Sequence, residues 1–482
     1  MAIPDPGERA GKRSNPTVTL LVLGLAGFIY AAVQSAVLPA LPSFQRDLHT
    51  SVNAVSWILI AYLLSASVAT PIIGRLGDMY GKDRMLILTL VGLSLGTVLA
   101  AVARSIAVLD IARVIQGVGG GIIPLSFGIV RDEFPRARVA GSIGLVSSML
   151  GIGGGAGIVL GGVILQHLSW PWLFWAPLGP TVIVAVLAYF FVPPSPVRTP
   201  ARINWTAAVL MSAGLSALLI AISEATTWGW GSARTLGLMA AGLLVSVAWI
   251  RWEIRSSTPL VDMQLMRLRA VWSTNLAAAL LGGGMYALFL IVPEFVQAPR
   301  STGYGLGASD VQAGLYLLPL AVVMLIMSLQ AGRIARRFGS RAALLAGSVA
   351  TAVSFVLLLL GHSQPWHFYL ASAVFGLGIG LAFSALGNLI VDAVPRTHTG
   401  VASGMNAVMR TLGGAVGAAF VATFIASSTR NGVPLVHGFL VAMGVSAGLI
   451  GLAVLAGLLI PGRRAAAAEE PAERLRTAPV ES

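Results

Sequence analysis

The chain has 482 residues, 56% of them hydrophobic and only 10% charged, and its mean hydropathy of +0.85 exceeds what any soluble domain of this size needs to fill its core. That excludes a soluble protein and predicts several membrane crossings of about 20 apolar residues each, enough for roughly 30 Å of hydrocarbon. Cysteine is absent, which removes disulfides and thiolate chemistry, and the net charge of +13 comes without the basic, aromatic-interleaved run that would predict a nucleic-acid partner.

Residues 1–16 carry Arg9, Lys12 and Arg13 ahead of an apolar run too long for a signal-peptide core. They read as a cytoplasmic N-terminus before a retained first span. Runs of spanning length fall at 17–40, 53–73, 85–103, 108–130, 140–165, 173–192, 205–223, 233–250, 271–294, 311–331, 342–361, 367–391, 401–427 and 437–460. The tail, 461–482, is rich in Ala, Glu and Arg and reads as a disordered cytoplasmic segment. Fourteen crossings place both termini on one side. If that side is the cytoplasm, the outer loops hold only Arg46, Arg104, Arg234, Arg300 and Arg430, while Arg113 and Arg410 fall inside spans and every other Lys and Arg is internal. The basic balance is therefore a topological signal. Lys12 and Lys82 are the only lysines, a skew that with abundant Ala and Gly points to a GC-rich, bacterial source.

In chain order, span 1 holds Tyr30 and Gln34 one turn apart, and span 2 holds Trp57 and Tyr62. The loop after it reads Gly74-Arg75-Leu76-Gly77-Asp78-Met79-Tyr80-Gly81, followed by Lys82, Asp83 and Arg84. Its glycines allow close helix approach and a tight turn, and Asp78 can take a hydrogen bond or salt bridge from Arg75 or Arg84. In span 4, Asp110, Arg113 and Gln116 stand three apart on one face. An intramembrane arginine is either a functional group or half of a structural Asp110–Arg113 pair near the outer surface. Span 5 carries Gly153, Gly157, Gly161 and Gly162, a spacing that lets helices pack backbone to backbone. Asn275 and Tyr286 share a face of span 9, whose outer end holds Glu294 beside Pro293; Tyr316, Asn388, Asn406 and Arg410 follow in spans 10, 12 and 13. Each of these polar residues reads as a helix-to-helix hydrogen bond or as a wall of a mostly apolar cavity. Among the acids, only Glu294 and Asp110 are expected within or near the apolar layer. The histidines, His49, His167, His362, His367, His398 and His437, all fall at loops or span ends.

The loop after span 10 reads Gly332-Arg333-Ile334-Ala335-Arg336-Arg337-Phe338-Gly339, offset by 258 from the loop after span 2, and Asp392-Ala393-Val394-Pro395-Arg396 repeats Asp132-Glu133-Phe134-Pro135-Arg136 at an offset of 260. Two such offsets predict two six-span halves of the same orientation, 17–195 and 271–460, with 205–250 as an inserted helix pair.

Gly74 to Arg84 resembles the signature of the major facilitator superfamily, G-x-L-a-D-r-x-G-r-k, departing at Met79 and Asp83. The span count is similar to that of its fourteen-span drug:proton antiporter family. The resemblance implies an all-α membrane fold and a cytoplasmic gate built on Gly74, Arg75, Asp78, Gly81 and Arg84; Arg336 replaces the acid in the second copy, which predicts a one-sided lock. Leu109 to Gly119 is similar to the family's l-x-x-x-R-x-x-q-G-x-g, whose arginine is implicated in proton transfer. Asp110, Arg113 and Glu294 are thus the proton-coupling candidates. The span 5 glycines resemble the antiporter motif g-x-x-x-G-P-x-x-G-G, with Ile158 in place of the proline. Tyr30 stands where many members carry an acid. So little negative charge suits neutral or weakly polar hydrophobic compounds better than multiply charged cations.

The substrate cavity is expected to involve Tyr30, Gln34, Trp57, Tyr62, Gln116, Asn275, Tyr286, Tyr316, Asn388, Asn406 and Arg410. No metal-ligand spacing, nucleophile elbow or G-x-x-x-x-G-K-[ST] loop is present, since Leu76 and Asp83 break the last around Gly81-Lys82. The reading is a monomeric, non-enzymatic exporter in the bacterial cytoplasmic membrane, without cofactor or metal. It would move hydrophobic, drug-like molecules by alternating access in exchange for protons, and so confer antibiotic resistance. An exporter of an endogenous metabolite or lipid, and a non-transporting receptor or scaffold on the same fold, are the alternatives.

Overall fold

The computed structural model describes residues 15–198, 203–430 and 433–461. Most of the expected N-terminal segment, with Arg9, Lys12 and Arg13, and the tail expected to be disordered lie outside the described residues. Fourteen helices are long and apolar enough to cross a bilayer, matching the fourteen apolar runs. In the first half, spans 1 to 6 are Pro16–Ala40, Trp57–Tyr80, Lys82–Ala101, Ile106–Glu133, Ala137–His167 and Trp172–Phe191. Spans 7 and 8 are Trp205–Trp228 and Ala233–Arg255. In the second half, spans 9 to 14 are Arg269–Gln297, Val311–Phe338, Ser340–Leu360, Pro365–Ala393, Arg396–Ser427 and Val436–Leu459. The only strands among the described residues are Thr429–Arg430 and Val433–Pro434, an antiparallel pair between spans 13 and 14.

The halves pack alike. Span 1 lies on span 5, span 2 on span 4 and span 3 on span 6; likewise span 9 lies on span 13, span 10 on span 12 and span 11 on span 14. Between the halves, span 2 meets span 13 and span 5 meets span 10. The second half has its own apolar core, while the main core of the first half extends to Val271, Ile390, Val391, Val394 and Ala402 of the second.

Span 2 does not end near residue 73. It stays helical through Tyr80, so Gly74, Arg75 and Asp78 sit on a helix rather than in a loop. Their polar side chains are buried against neighbouring elements instead of meeting water, and nothing there forces the helix to stop. The stop comes at Gly81, whose φ of 109° only glycine adopts readily. Span 3 begins at the next residue. The second copy does the same, with helix through Phe338, Gly339 at φ 87°, and helix again from Ser340.

The inserted pair packs tightly on itself, with Gly214 against Ser246 and Gly242 against Leu218. Span 7 lies across the seam between spans 2 and 13, and Val209, Leu243 and Leu244 remain on the exterior, as lipid-facing residues should. The pair is tied to the second half at both ends. On the outer side Trp230 donates from Nε1 to Thr423 Oγ1 at 2.7 Å. On the inner side Glu253 accepts from Trp249 Nε1 at 3.2 Å and from the amides of Leu260 and Val261 at 3.0 and 3.1 Å, pinning the linker into span 9.

Candidate functional site

A cavity of about 380 Å³ lies between the halves, lined from spans 1, 2, 4, 5, 9, 10, 12 and 13. Its walls come from the middle and outer stretches of those helices: Tyr30 to Leu38 of span 1, Leu59 to Ala66 of span 2, Met285 to Leu290 of span 9 and Arg410 to Ala418 of span 13. It is aromatic and mostly apolar. Tyr30 stacks on Tyr62 with centroids 6.1 Å apart, and Phe289, Phe375 and Phe383 complete the walls. Across the halves, Gln34 donates from Nε2 to Tyr286 Oη at 3.3 Å.

Arg113 is wholly buried. It donates to Gln116 Oε1 at 2.8 Å and to the carbonyls of Ile58 and Val33 at 3.2 and 3.5 Å, and its guanidinium carbon lies 4.1 Å from the Tyr62 ring centroid. Gln116 is held in turn by Thr97 Oγ1 at 2.9 Å. A mid-membrane guanidinium costs about 2.5–3.5 kcal/mol on insertion scales, and these acceptors offset that cost. The pairing with Asp110, one of the two readings of the sequence, is not made. Asp110 Oδ1 is buried with no partner, and the only ion pairs among the described residues belong to Lys82. The arginine reaches inward to spans 1 and 2, while the acid stays at the half-buried outer edge of the helix.

Arg410 presents the opposite case. Its guanidinium faces the cavity, 5.0 Å from the Phe383 ring centroid, without a hydrogen bond or carboxylate partner among the described residues. Span 9 makes room for it. A Cβ on Gly282 would run into the backbone and Cγ of Arg410, and one on Gly414 into the ring of Tyr286.

The inner stretches are closed. Asp78 accepts from the amides of Gly400 and Val401 at 3.2 Å each, where the free N–H groups at the start of span 13 favour a carboxylate. Gly74 and Gly400 touch backbone to backbone, as do Gly141 and Gly332. Arg131 donates to Val394 O at 2.7 Å and Thr399 Oγ1 at 2.6 Å. Behind this seam Lys82 Nζ is fully buried between Asp132 Oδ2 at 2.8 Å and Asp78 Oδ1 at 3.4 Å. The cavity therefore lies outward of a closed inner seam.

Several expected placements change. Asp78 is served by Lys82 and two amides, not by Arg75 or Arg84; Arg75 is buried within electrostatic reach of Glu253, and Arg84 is half-buried at the start of span 3. The seal is not one-sided, because Arg336 donates to Ala137 O at 3.1 Å across the other seam. Gly153, Gly157 and Gly161 receive the backbone of Phe28, Ala32 and Ala36 of span 1, but Gly162 meets nothing. Ile158 lines the cavity.

Of the residues expected at the cavity, Tyr30, Gln34, Tyr62, Tyr286 and Arg410 line it, and Arg113 joins them. Gln116 sits behind Arg113. Asn406 donates to Asn275 Oδ1 at 2.9 Å and Asn388 to Ala140 O at 3.3 Å, both as helix-to-helix bonds away from the cavity. Tyr316 stacks on Tyr369 in a separate outer recess, Trp57 sits at the outer end of span 2, and Glu294 is exposed at the rim of span 9. Two residues escaped the sequence reading. Lys82 is the hub of the seal, and its rarity in an arginine-rich chain was an available signal. Glu224, buried with one unpartnered oxygen, lies one residue past the expected end of span 7.

A family model described as the Major Facilitator Superfamily matches residues 23–418 and again 274–482. A tetracenomycin C resistance and export protein of Streptomyces glaucescens is 28% identical over 430 residues, 88% of this chain and 79% of that one. The multidrug resistance protein Stp of Mycobacterium tuberculosis is 26% identical over 413 residues, 85% and 76% of the two chains. The solved human organic anion transporter MFSD10 superposes with a TM-score of 0.66 over 92% of this chain and 100% of that one; at 16% identity, the likeness concerns the fold alone.

Proposed function

The chain belongs to the major facilitator superfamily, and from that premise we propose that it is a secondary exporter of hydrophobic, drug-like molecules across a bacterial cytoplasmic membrane. The observation that carries this reading is an apolar, aromatic cavity between two like-built halves whose inner ends are sealed together. That is one end state of an alternating-access carrier. The names of its relatives, an antibiotic export protein and a multidrug resistance protein, favour drug-like cargo.

In the cycle, the inner seam opens when Asp78 leaves the start of span 13, Arg131 leaves Val394 and Thr399, and Arg336 leaves Ala137. The halves then rock about the cavity and admit substrate from the inside. With no nucleotide-binding loop in the sequence, the driving force is a gradient; one charge crossing 100 mV supplies about 2.3 kcal/mol. Protons are the proposed coupling ion. Arg113 with Asp110 is the proposed coupling locus, since the arginine borders the cavity while an oxygen of the acid is buried unpartnered, and Glu294 at the outer rim is the further candidate. The carrier works as a monomer, surrounded by lipid, and performs no covalent chemistry.

Purified protein in proteoliposomes tests this. Addition of exported compounds should release or take up protons in wild type and not in Arg113→Ala. Absence of proton movement with every transported compound would sink the antiport assignment. Unchanged drug susceptibility of cells lacking the protein would turn the reading toward an endogenous metabolite.

A further inference from the structure

The cavity has a charge imbalance. Among the described residues no Asp or Glu lines it, yet two arginines do. Arg113 gives its Nε and Nη1 to Gln116 and two helix carbonyls and lies over the face of Tyr62, with Nη2 alone left without a partner among the described residues. Arg410 has no such acceptors. The hydroxyls of Tyr286 and Tyr30 lie within electrostatic reach of its charge, its guanidinium carbon lies 5.0 Å from the Phe383 ring centroid, and the residue lines the cavity. Its planar fork matches carboxylate oxygens bidentately. Gly282 lets the backbone of Arg410 come close to span 9, and Gly414 lets the ring of Tyr286 come close to span 13. Around Arg410 the walls are aromatic faces.

Resting on the exporter reading above, we infer that the transported molecules are lipophilic acids, each with a flat aromatic body and one anionic oxygen group, and that Arg410 takes the anion. One free guanidinium suits one negative charge. The aromatic body lies among Tyr30, Phe289, Phe375 and Phe383. Export of a monoanion also moves negative charge outward, the direction an inside-negative potential favours, so the potential itself helps to drive the cycle.

Three probes of one skeleton test this: 1-pyrenebutyrate, its methyl ester and 1-pyrenebutylamine, titrated against the purified full-length protein by fluorescence and followed in proteoliposomes. The carboxylate should bind about 10- to 100-fold more tightly than the ester, the gain of a hydrogen bond to a charged group, and the ammonium should bind most weakly. Arg410→Gln should remove the difference between carboxylate and ester, with the thermal unfolding temperature in detergent reporting an intact fold; Arg410→Lys should retain most of the preference. Equal binding of carboxylate and ester to wild type, a preference that survives Arg410→Gln, or no binding of the carboxylate to folded wild type would each overturn the proposal. If the anion preference holds but no probe crosses the liposome membrane, the anion site stands and the exporter reading falls. If all three probes are carried with equal affinity, the exporter reading stands and the anion site falls.

Discussion

The two copies of the repeated inner segment do similar work with opposite chemistry. In the first copy, Asp78 is buried, caps the start of span 13 and shares Lys82 with Asp132. In the second, the equivalent position is Arg336, exposed and donating to a single carbonyl of span 5, and Ser340 stands where Lys82 would be. What the copies share is backbone. Gly74 and Gly332 each let a helix of the other half come into contact, and Gly81 and Gly339 each turn the chain in one residue. The repeat thus preserves close approach and turn, while the charges differ, so the seam's strength should lie mostly on the Asp78 side.

Substitutions can break that asymmetry. The largest effect is expected from Lys82→Ser, which gives the first copy the residue of the second. It leaves Asp78 and Asp132 buried without their cation and should cost about 3–5 kcal/mol, read as a lowered thermal unfolding temperature in detergent. Next comes Asp78→Asn, which weakens two charge-assisted bonds worth about 1.5–3 kcal/mol each. It should open the inner seam, and because the chain has no cysteine, a single Ser403→Cys on span 13 reports this directly. Maleimide labelling should be at least about tenfold faster in Asp78→Asn, a shift of ~1.4 kcal/mol; an unchanged rate would mean the carboxylate does not hold the seam.

Gly81→Ala and Gly339→Ala should both destabilise by about 1–3 kcal/mol, since each forces a side chain into a glycine-only conformation. The first should be worse, because its new Cβ would fall 2.9 Å from Asp83 Oδ1 while Gly339 faces open space. Arg336→Ala should cost at most about 1 kcal/mol, as exposed charges do, and leave Ser403→Cys labelling near wild type. An effect as large as that of Asp78→Asn would mean the two seams bear equal load. The smallest pair is in span 5: Gly162→Ala should change stability by no more than ~0.5 kcal/mol, whereas Gly157→Ala should impair export, because its Cβ would enter the backbone of Ala32.

The fourteen crossings were legible because a spanning helix must be long and apolar whatever it packs against, and the inner repeat was legible because it recurs as text. Helix ends were less so. Arg75 and Asp78 look like loop residues until their burial is known, and Glu224 fell one residue outside the expected run. The site was read unevenly for a related reason. Helical spacing told which residues share a face, and Tyr30, Gln34, Tyr62 and Tyr286 do meet at the cavity. Spacing does not tell how far a side chain reaches, so it left the Asp110–Arg113 pair open and gave no sign of the contact of Arg113 with Tyr62. Asn275, Asn388 and Asn406 are mid-span polar residues like the lining tyrosines, and only the packing of neighbouring helices sends them to one another or to a carbonyl instead of to the cavity.

Turns of a single residue leave no slack. At Gly81 the end of span 2 and the start of span 3 are adjacent in the chain, so the two helices act as the arms of a bell-crank whose pivot is one glycine. A push on span 2 at the seam with span 13 is therefore delivered to span 3. Span 3 carries Gly96, against which the backbone of Gln116 rests, and Gln116 steadies Arg113. The inner seal and the arginine beside the cavity are thus connected by backbone contact through spans 2 and 3, and if that contact couples them, a second glycine inserted at Gly81 should loosen the linkage while leaving both ends intact.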